Sequence, residues 1–352
     1  MIKPLSAALA LALALALALA LAVPALPGAA AAPSRPAAAG ALVLKIGSVA
    51  PSRSPWDKAL QQVANDWERL SNGTVQVKIY PGGIAGSEQD MIRKMRLGVL
   101  QGGVLSSMGL AKIEHSVMVL CLPFLFHARE EFNAVFDDMK PSFEASIERQ
   151  GFKMMLWTLA GWVNFFSKTP VLEPDDLKKL KINVTADFPE IEQVWKRMGY
   201  EAVAGENSDL MIELQSGAVT ALYLPALLAG SGQYFALAPH MLAPSLAPLV
   251  GGLVLSDKAW ASVPAELRQT FEDAVSRAAR GLYDETMRLE ADALKMMRDN
   301  GLVVHEPSAE AMAKWREAAD RAIQGLLGPV FSKEVYDQVV GRVRDYRRSH
   351  GQ

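Results

Sequence analysis

The side chains that most often carry chemistry are few in this chain and poorly spaced for it. Its five histidines, His115, His127, His240, His305 and His350, never form an H-x-x-H or H-x-x-x-H pair. Such a pair is what sets two imidazoles on one helix face around a metal ion. One cysteine, Cys121, removes a disulfide framework and any cysteine-ligated zinc or iron–sulfur site. It stands in the apolar run LCLPFLF and reads as a buried structural thiol. The chain has no G-x-S-x-G, G-x-x-x-x-G-K-[ST] or H-E-x-x-H, and no G-x-G-x-x-G after a strand. Pro81-Gly82-Gly83 followed by Ser87-Glu88 has the outline of a phosphate loop but no lysine. Glu88 would put a negative charge where the phosphate should sit, so the segment reads as a turn and a helix N-cap. Asp175-Asp176 follows Pro174 and suits the positive end of a short helix, and Asp137-Asp138 lies on a polar helix face. Nucleophile–base and metal spacings are both missing, so the expectation is a protein that is not an enzyme and needs no cofactor or metal.

Composition points the same way. The 352 residues are 50% hydrophobic and 21% charged, with a net charge of −2. Length suggests about two domains. The charge balance excludes a strongly basic nucleic-acid binder, a polyanionic tail and a polybasic membrane patch.

Residues 1–32 read as a signal peptide. Met1-Ile2-Lys3 is a short positive start, Leu5 to Val23 is almost pure leucine and alanine, and Pro24, Pro27 and Gly28 precede the small-residue exit Ala29 to Ala32. A run of this length could also span a bilayer, but its alanine content and small-residue exit favour cleavage. No cysteine follows it, which excludes a lipoprotein anchor. Residues 33–41, rich in proline, alanine and serine, read as a disordered lead-in.

From residue 42 the chain alternates strand and helix signals. Strands are expected at 42–49, 74–80, 99–104 (broken at Gly102-Gly103), 153–159, 163–168, 180–184, 219–224 and 251–256, the last clear one. Ser54 and Ser87 cap helices that begin at Pro55 and near Glu88. Further helices are expected at 130–150, 190–198, 210–215, 264–300, 309–327 and 333–348. This order of βα units and a helical tail is an α/β class. The helix over 264–300 would reach about 50 Å at 1.5 Å per residue, longer than one lobe, and so should brace two.

Five segments, KIGSVAPSRSPWDKAL, ERLSNGTVQVKIYPGGIAGSEQDMIRKMRLG, LCLPFLFHAREEF, LEPDDLKKLKINV and ELQSGAVTALYLPA, stand in this order from about Leu44 onward. Together they resemble the periplasmic substrate-binding proteins of the tripartite ATP-independent periplasmic (TRAP) transporters, of the dicarboxylate-binding (DctP) type. The resemblance runs to about Val343. It implies an α/β, two-lobed periplasmic binding protein fold, with hinge strands, a long bracing helix and a ligand held between the lobes. Lobe 1 would be 42–160 plus 249–285, and lobe 2 would be 161–248 plus 286–352. The implied partners are a small-molecule ligand and the small and large membrane permease subunits. The protein would work in the periplasm, as a monomer or homodimer.

Departures from the family pattern bear on the ligand. Where the family reads K-I-R-V, with an arginine forked onto a substrate carboxylate, this chain reads Lys181-Ile182-Asn183-Val184. An amide offers only neutral hydrogen bonds in place of two charge-assisted ones. Gly161 is followed by Trp162-Val163-Asn164 where a second arginine is common. Val219 to Pro225 (VTALYLP) replaces V-D-G-x-E-x-P. A dicarboxylate buried there without a counter-charge would cost several kcal/mol. The expectation is therefore an apolar or amphipathic ligand, contacted by Trp56, Met108, Trp162, Asn164, Asn183, Phe188, Tyr223 and Leu224. A carrier not coupled to import is one alternative. The other is an organic-acid binder whose cation, such as Lys181 or Arg197, has moved.

Overall fold

Short apolar runs separated by capped helices assemble, among the described residues, into one ten-stranded sheet. The computed structural model describes residues 40–186, 188–205 and 209–351. The expected signal peptide and most of the lead-in lie outside these residues. A first half is built from β1 (Leu42–Ser48), α1 (Pro55–Leu70), β2 (Val75–Tyr80), α2 (Glu88–Arg96), β3 (Gly102–Ser106) and α3 (Ser107–Ile113). A 3-10 segment, His115–Cys121, leads to α4 (Arg129–Arg149) and the long β4 (Phe152–Ser167). The second half comprises α5 (Pro174–Leu177), β5 (Lys181–Thr185), α6 (Pro189–Arg197), β6 (Glu201–Gly205), α7 (Leu210–Ser216), β7 (Ala221–Pro225) and α8 (Ala226–Ser231). The chain then returns through β8 (His240–Leu242), β9 (Ala247–Ser256), α9 (Asp257–Ser262), α10 (Ala265–Asp299), β10 (Val303–His305), α11 (Ala309–Leu326) and α12 (Lys333–Ser349).

The sheet order is β2-β1-β3-β9-β4-β7-β5-β6, with β8 on β4 and β10 on β8. β1 pairs in parallel with β2 and β3, and β5 in parallel with β6 and β7. Antiparallel β9 and β4 join the halves. The expected caps form: Ser54 Oγ accepts from Asp57 N at 3.3 Å and Ser87 Oγ from Asp90 N at 3.2 Å. At 35 residues, α10 is about 52 Å long. It packs against α1 of the first half, β4 at the join and α8 of the second, so it braces both. None of the helices among the described residues is long and apolar enough to cross a membrane.

Several expectations at residue level are corrected. Gly102 and Gly103 do not break a strand; they start β3. A Cβ at Gly102 would lie 2.5 Å from Leu255 Cδ2 and 2.8 Å from the Val254 carbonyl oxygen, so glycine lets β9 approach. The two strands expected around Gly161 are one strand, β4, which changes register against β9 between Met154 and Leu156 and again between Leu159 and Trp162. Gly251–Ser256 is not the last strand, since β10 follows. The three-residue β8 and β10 carry too few residues to show a period of two.

Candidate functional site

In an open sheet with parallel strands, ligands bind beyond the carboxyl ends of the strands, where the strand order switches direction. This sheet has two such places. β1 lies between β2 and β3, so Ser48–Ala50 and Ser106–Met108 diverge in the first half. β5 lies between β7 and β6, so Thr185–Ala186 and Leu224–Ala226 diverge in the second.

The first-half side is tightly made. Gly83 N donates to the Ser48 carbonyl and Gly82 N to that of Ala50, both at 2.9 Å, which folds the Pro81-Gly82-Gly83 turn onto the end of β1. Glu88 does more than favour a helix start. Its carboxylate accepts from Ser106 N at 2.6 Å and Ser106 Oγ at 2.9 Å, tying α2 to the end of β3. A Cβ at Gly109 would stand 2.3 Å from Glu88 Oε1, so only glycine fits beside that carboxylate. Ser107 is fully buried. The Cys121 thiol lies beside it, and burial pushes that thiol's pKa up. Trp56 and Met108 are half-buried, and the Trp56 indole N–H is buried without a partner.

The second-half residues divide between the two faces of the sheet. Asn164 pairs with Leu224 across β4 and β7, and Asn183 shares their face because Ile182 pairs with Ala221. Tyr223 points the opposite way, into a core with Phe165, Trp195 and Val184. Its phenol is pushed up to about 12, chiefly by burial. Asn164 is 4% exposed, and its amide donates to the carbonyls of Leu242 and Ala243, both at 3.1 Å. Both amide hydrogens thus pin β4 to the end of β8 and the residue after it. Asn183 Nδ2 faces Glu213 Oε2 of α7 at 3.4 Å. Trp162 belongs to the join between the halves, edge-on to Phe132 of α4.

Phe188 sits where the halves meet. It lines a cavity of about 290 Å³ with Pro189 and Glu190, facing Gln89, Lys112 and His115 of the first half. Lys112 Nζ stands 5.0 Å from the centre of the Phe188 ring, within cation–π reach. The cations considered as relocated partners are elsewhere. Lys181 is exposed at the amino end of β5, and Arg197 is exposed at the end of α6, 3.5 Å from the Gly325 carbonyl. Sequence reading missed Gln89, Lys112, His115 and Ser107. The position of Ser107 directly after a strand that ends at a switch point is the signal that could have found it.

Known proteins share this architecture. A TRAP periplasmic solute-binding protein of Xanthobacter autotrophicus Py2, solved with bound beta-D-galacturonate, superposes with a TM-score of 0.76 at 21% identity, covering 86% of this chain and 99% of its own. One from Shewanella oneidensis, solved with bound succinate, gives 0.78 at 18% identity over the same shares. In sequence, the C4-dicarboxylate-binding periplasmic protein DctP of Rhodobacter capsulatus is 25% identical over 295 residues, 81% of this chain and 86% of that protein. Residues 46–327 match the family of bacterial extracellular solute-binding proteins, family 7. With most of its length inside that match, the chain belongs to this family of TRAP-type periplasmic solute-binding proteins, which are binding proteins and not enzymes.

Proposed function

We propose that the protein captures an apolar or amphipathic ligand with little negative charge between two lobes and delivers it to the TRAP membrane permease. The lobes are 42–160 with 249–285 and 161–248 with 286–352, the last helix of the latter reaching back to pack on α4. Trp56, Met108, Phe188, Asn183 and Leu224 contact the ligand. One observation carries the reading. At the arginine position of the family pattern, this chain holds an amide that faces a carboxylate, Asn183 toward Glu213. A bound carboxylate would meet a like charge there instead of a guanidinium fork.

A thermal-shift panel tests it. A ligand at 100 times its dissociation constant adds about 2.7 kcal/mol of stability. Long-chain, aromatic or isoprenoid compounds should include at least one that raises the melting temperature, while succinate and galacturonate should leave it unchanged. Strong stabilisation by succinate would sink the reading. Lys112 at the cavity favours the second reading, an organic-acid binder with a moved cation, and Lys112→Ala would then abolish the succinate shift.

Glu213 also changes what Asn183→Arg should do. The introduced guanidinium would pair with Glu213 and remain unavailable, so the single variant should gain no succinate binding. Asn183→Arg combined with Glu213→Ala should gain tenfold or more, since hydrogen bonds to charged groups are worth about 1.5–3 kcal/mol. Isothermal titration with succinate reads both; a gain in the single variant would show that Glu213 does not control the site.

Export completes the proposal. The leucine–alanine run should be removed, leaving a protein that starts between about Ala30 and Gly40. N-terminal sequencing of the periplasmic fraction checks this, and full-length protein held in the membrane would contradict it.

A further inference from the structure

Where β4 changes register, a side chain of the long helix comes down onto the strand. Trp162 N donates to Glu290 Oε1 of α10 at 3.0 Å. Gly161, at φ +124°, makes the approach possible: a Cβ there would lie 2.5 Å from Glu290 Oε1 and 2.9 Å from Pro225 Cβ. Arg129, the first residue of α4, approaches from the other side. Its guanidinium is 3.9 Å from Glu290 Oε2, too far for a hydrogen bond. Arg129 Nε is buried without a partner, as are Trp162 Nε1 and Thr286 Oγ1, the last one turn before Glu290. Buried polar atoms are rarely left unpaired, and these three belong to residues that flank one carboxylate. The arrangement therefore keeps spare hydrogen-bonding capacity at the crossing of β4 and α10.

We propose that Glu290 is the hinge latch of this binding protein: it holds the Trp162 N–H in the arrangement seen here and takes the Arg129 fork when the lobes rotate. In the lobe division given above, on which this rests, Trp162 and Glu290 belong to lobe 2 and Arg129 to lobe 1. The Arg129–Glu290 separation is then a distance across the hinge. The Trp162 N–H sits on Oε1 and Arg129 nearest Oε2, so the carboxylate keeps the strand while the Arg129 contact across the hinge forms or breaks, a step that small motions can switch. Nothing in this depends on what the ligand is.

The latch is sensitive to protonation. Burial pushes the Glu290 carboxyl above its ordinary value, against the opposing pull of the Trp162 N–H and Arg129. Among the described residues the charged group facing it from a neighbouring element is Arg129. β7 and α8 contain no titratable side chain except the Tyr223 phenol. The charge on β4 is Lys153 near its far end, paired with Glu148 and Glu272. Protonated Glu290 loses its attraction for Arg129, so the fork engages at higher pH and releases as pH falls. The stability linkage runs the other way. Because the folded value is raised, Glu290 favours folding below its unfolded value, and that contribution is lost as pH rises through the folded value.

The test uses the full mature chain without ligand, carrying nitroxide labels at Lys58→Cys on α1 and Gln215→Cys on α7, both exposed. Distances between the labels are measured from pH 5 to 8 in this background and with Glu290→Gln or Arg129→Gln added. A difference of one pKa unit between the two arrangements changes their ratio about tenfold. The expected result is a distance distribution that shifts with pH in the parent and is fixed in both variants. Glu290→Gln keeps an oxygen for the Trp162 N–H, so the strand contact survives. A parent distribution independent of pH, or one that shifts equally in Glu290→Gln, overturns the latch. If Glu290→Gln fails to fold, Arg129→Gln decides alone by the same criterion. Failure here leaves the ligand reading untouched, since no ligand is used.

Discussion

Arg347→Ala is expected to lower the unfolding free energy by about 3–5 kcal/mol, the usual cost of stranding one partner of a buried ion pair. Arg347, near the end of α12, reaches Glu131 of α4 with Nε to Oε1 at 2.6 Å and Nη2 to Oε2 at 3.3 Å, and also donates to the Leu125 carbonyl at 2.9 Å. The Glu131 side chain is 1% exposed. Without the guanidinium it would retain the backbone N–H of His127 at 2.5 Å and an uncompensated charge. Glu131→Gln should cost less than Arg347→Ala, because a buried amide needs no counter-charge. The double variant should cost less than the two singles added, since each removes the same pair. Urea unfolding at constant slope measures all three. A loss below about 1 kcal/mol for Arg347→Ala would mean that the pair behaves as an ordinary surface ion pair.

That contact also shows what could be read along the chain and what could not. Glu131 and Arg347 stand 216 residues apart, and neither has a local pattern that announces the other. Ser54, Ser87, the Pro–Gly–Gly turn and the long amphipathic run were legible because their signals lie within a few residues of the structure they make. The lobes and hinge strands came from the resemblance and the brace from the length of the helix; the family match and the fold bear out the α/β class, and α10 packs on both halves.

The site was less legible. Asn164 and Asn183 have the same side chain, yet one is committed to two backbone carbonyls and the other faces a carboxylate from a helix 30 residues later. Tyr223 and Leu224 are neighbours in sequence, and strand alternation sends them to opposite faces of the sheet. Only the register of β7 against β4 and β5 decides which is which. Glu88 reads as a helix-start charge when taken locally. Its bond to Ser106 depends on where β3 ends, and the expected end of that strand was two residues early. Gly161 was read as a gap between strands, because nothing local shows that a carboxylate from α10 occupies the space its missing Cβ leaves.

Trp67→Ala should be the other large loss, about 3–5 kcal/mol. The indole is fully buried and stacks on Phe271, with ring centres 4.6 Å apart and planes 7° from parallel. Its Nε1 donates to the Phe271 carbonyl at 3.2 Å. Trp67 belongs to α1 and Phe271 to the first part of α10, so this contact fixes the long helix to the first half. Trp67→Phe keeps a stacking ring but loses the N–H and the volume of the second ring, and should cost about 1–3 kcal/mol. If Trp67→Ala costs no more than Trp67→Phe, the stack does not hold the brace. The variant also separates anchoring from hinging. Glu290 sits some five turns further along α10, and α10 meets α8 beyond it. If the lobes rotate as proposed, a helix fixed at its start and carried by the second half at its end would flex between, and Gly281 lies in that interval, where an added Cβ would meet nothing within 4 Å. Loosening the anchor at Trp67 should therefore weaken folding without abolishing the pH response at Glu290, whereas Glu290→Gln should remove that response at little cost in stability.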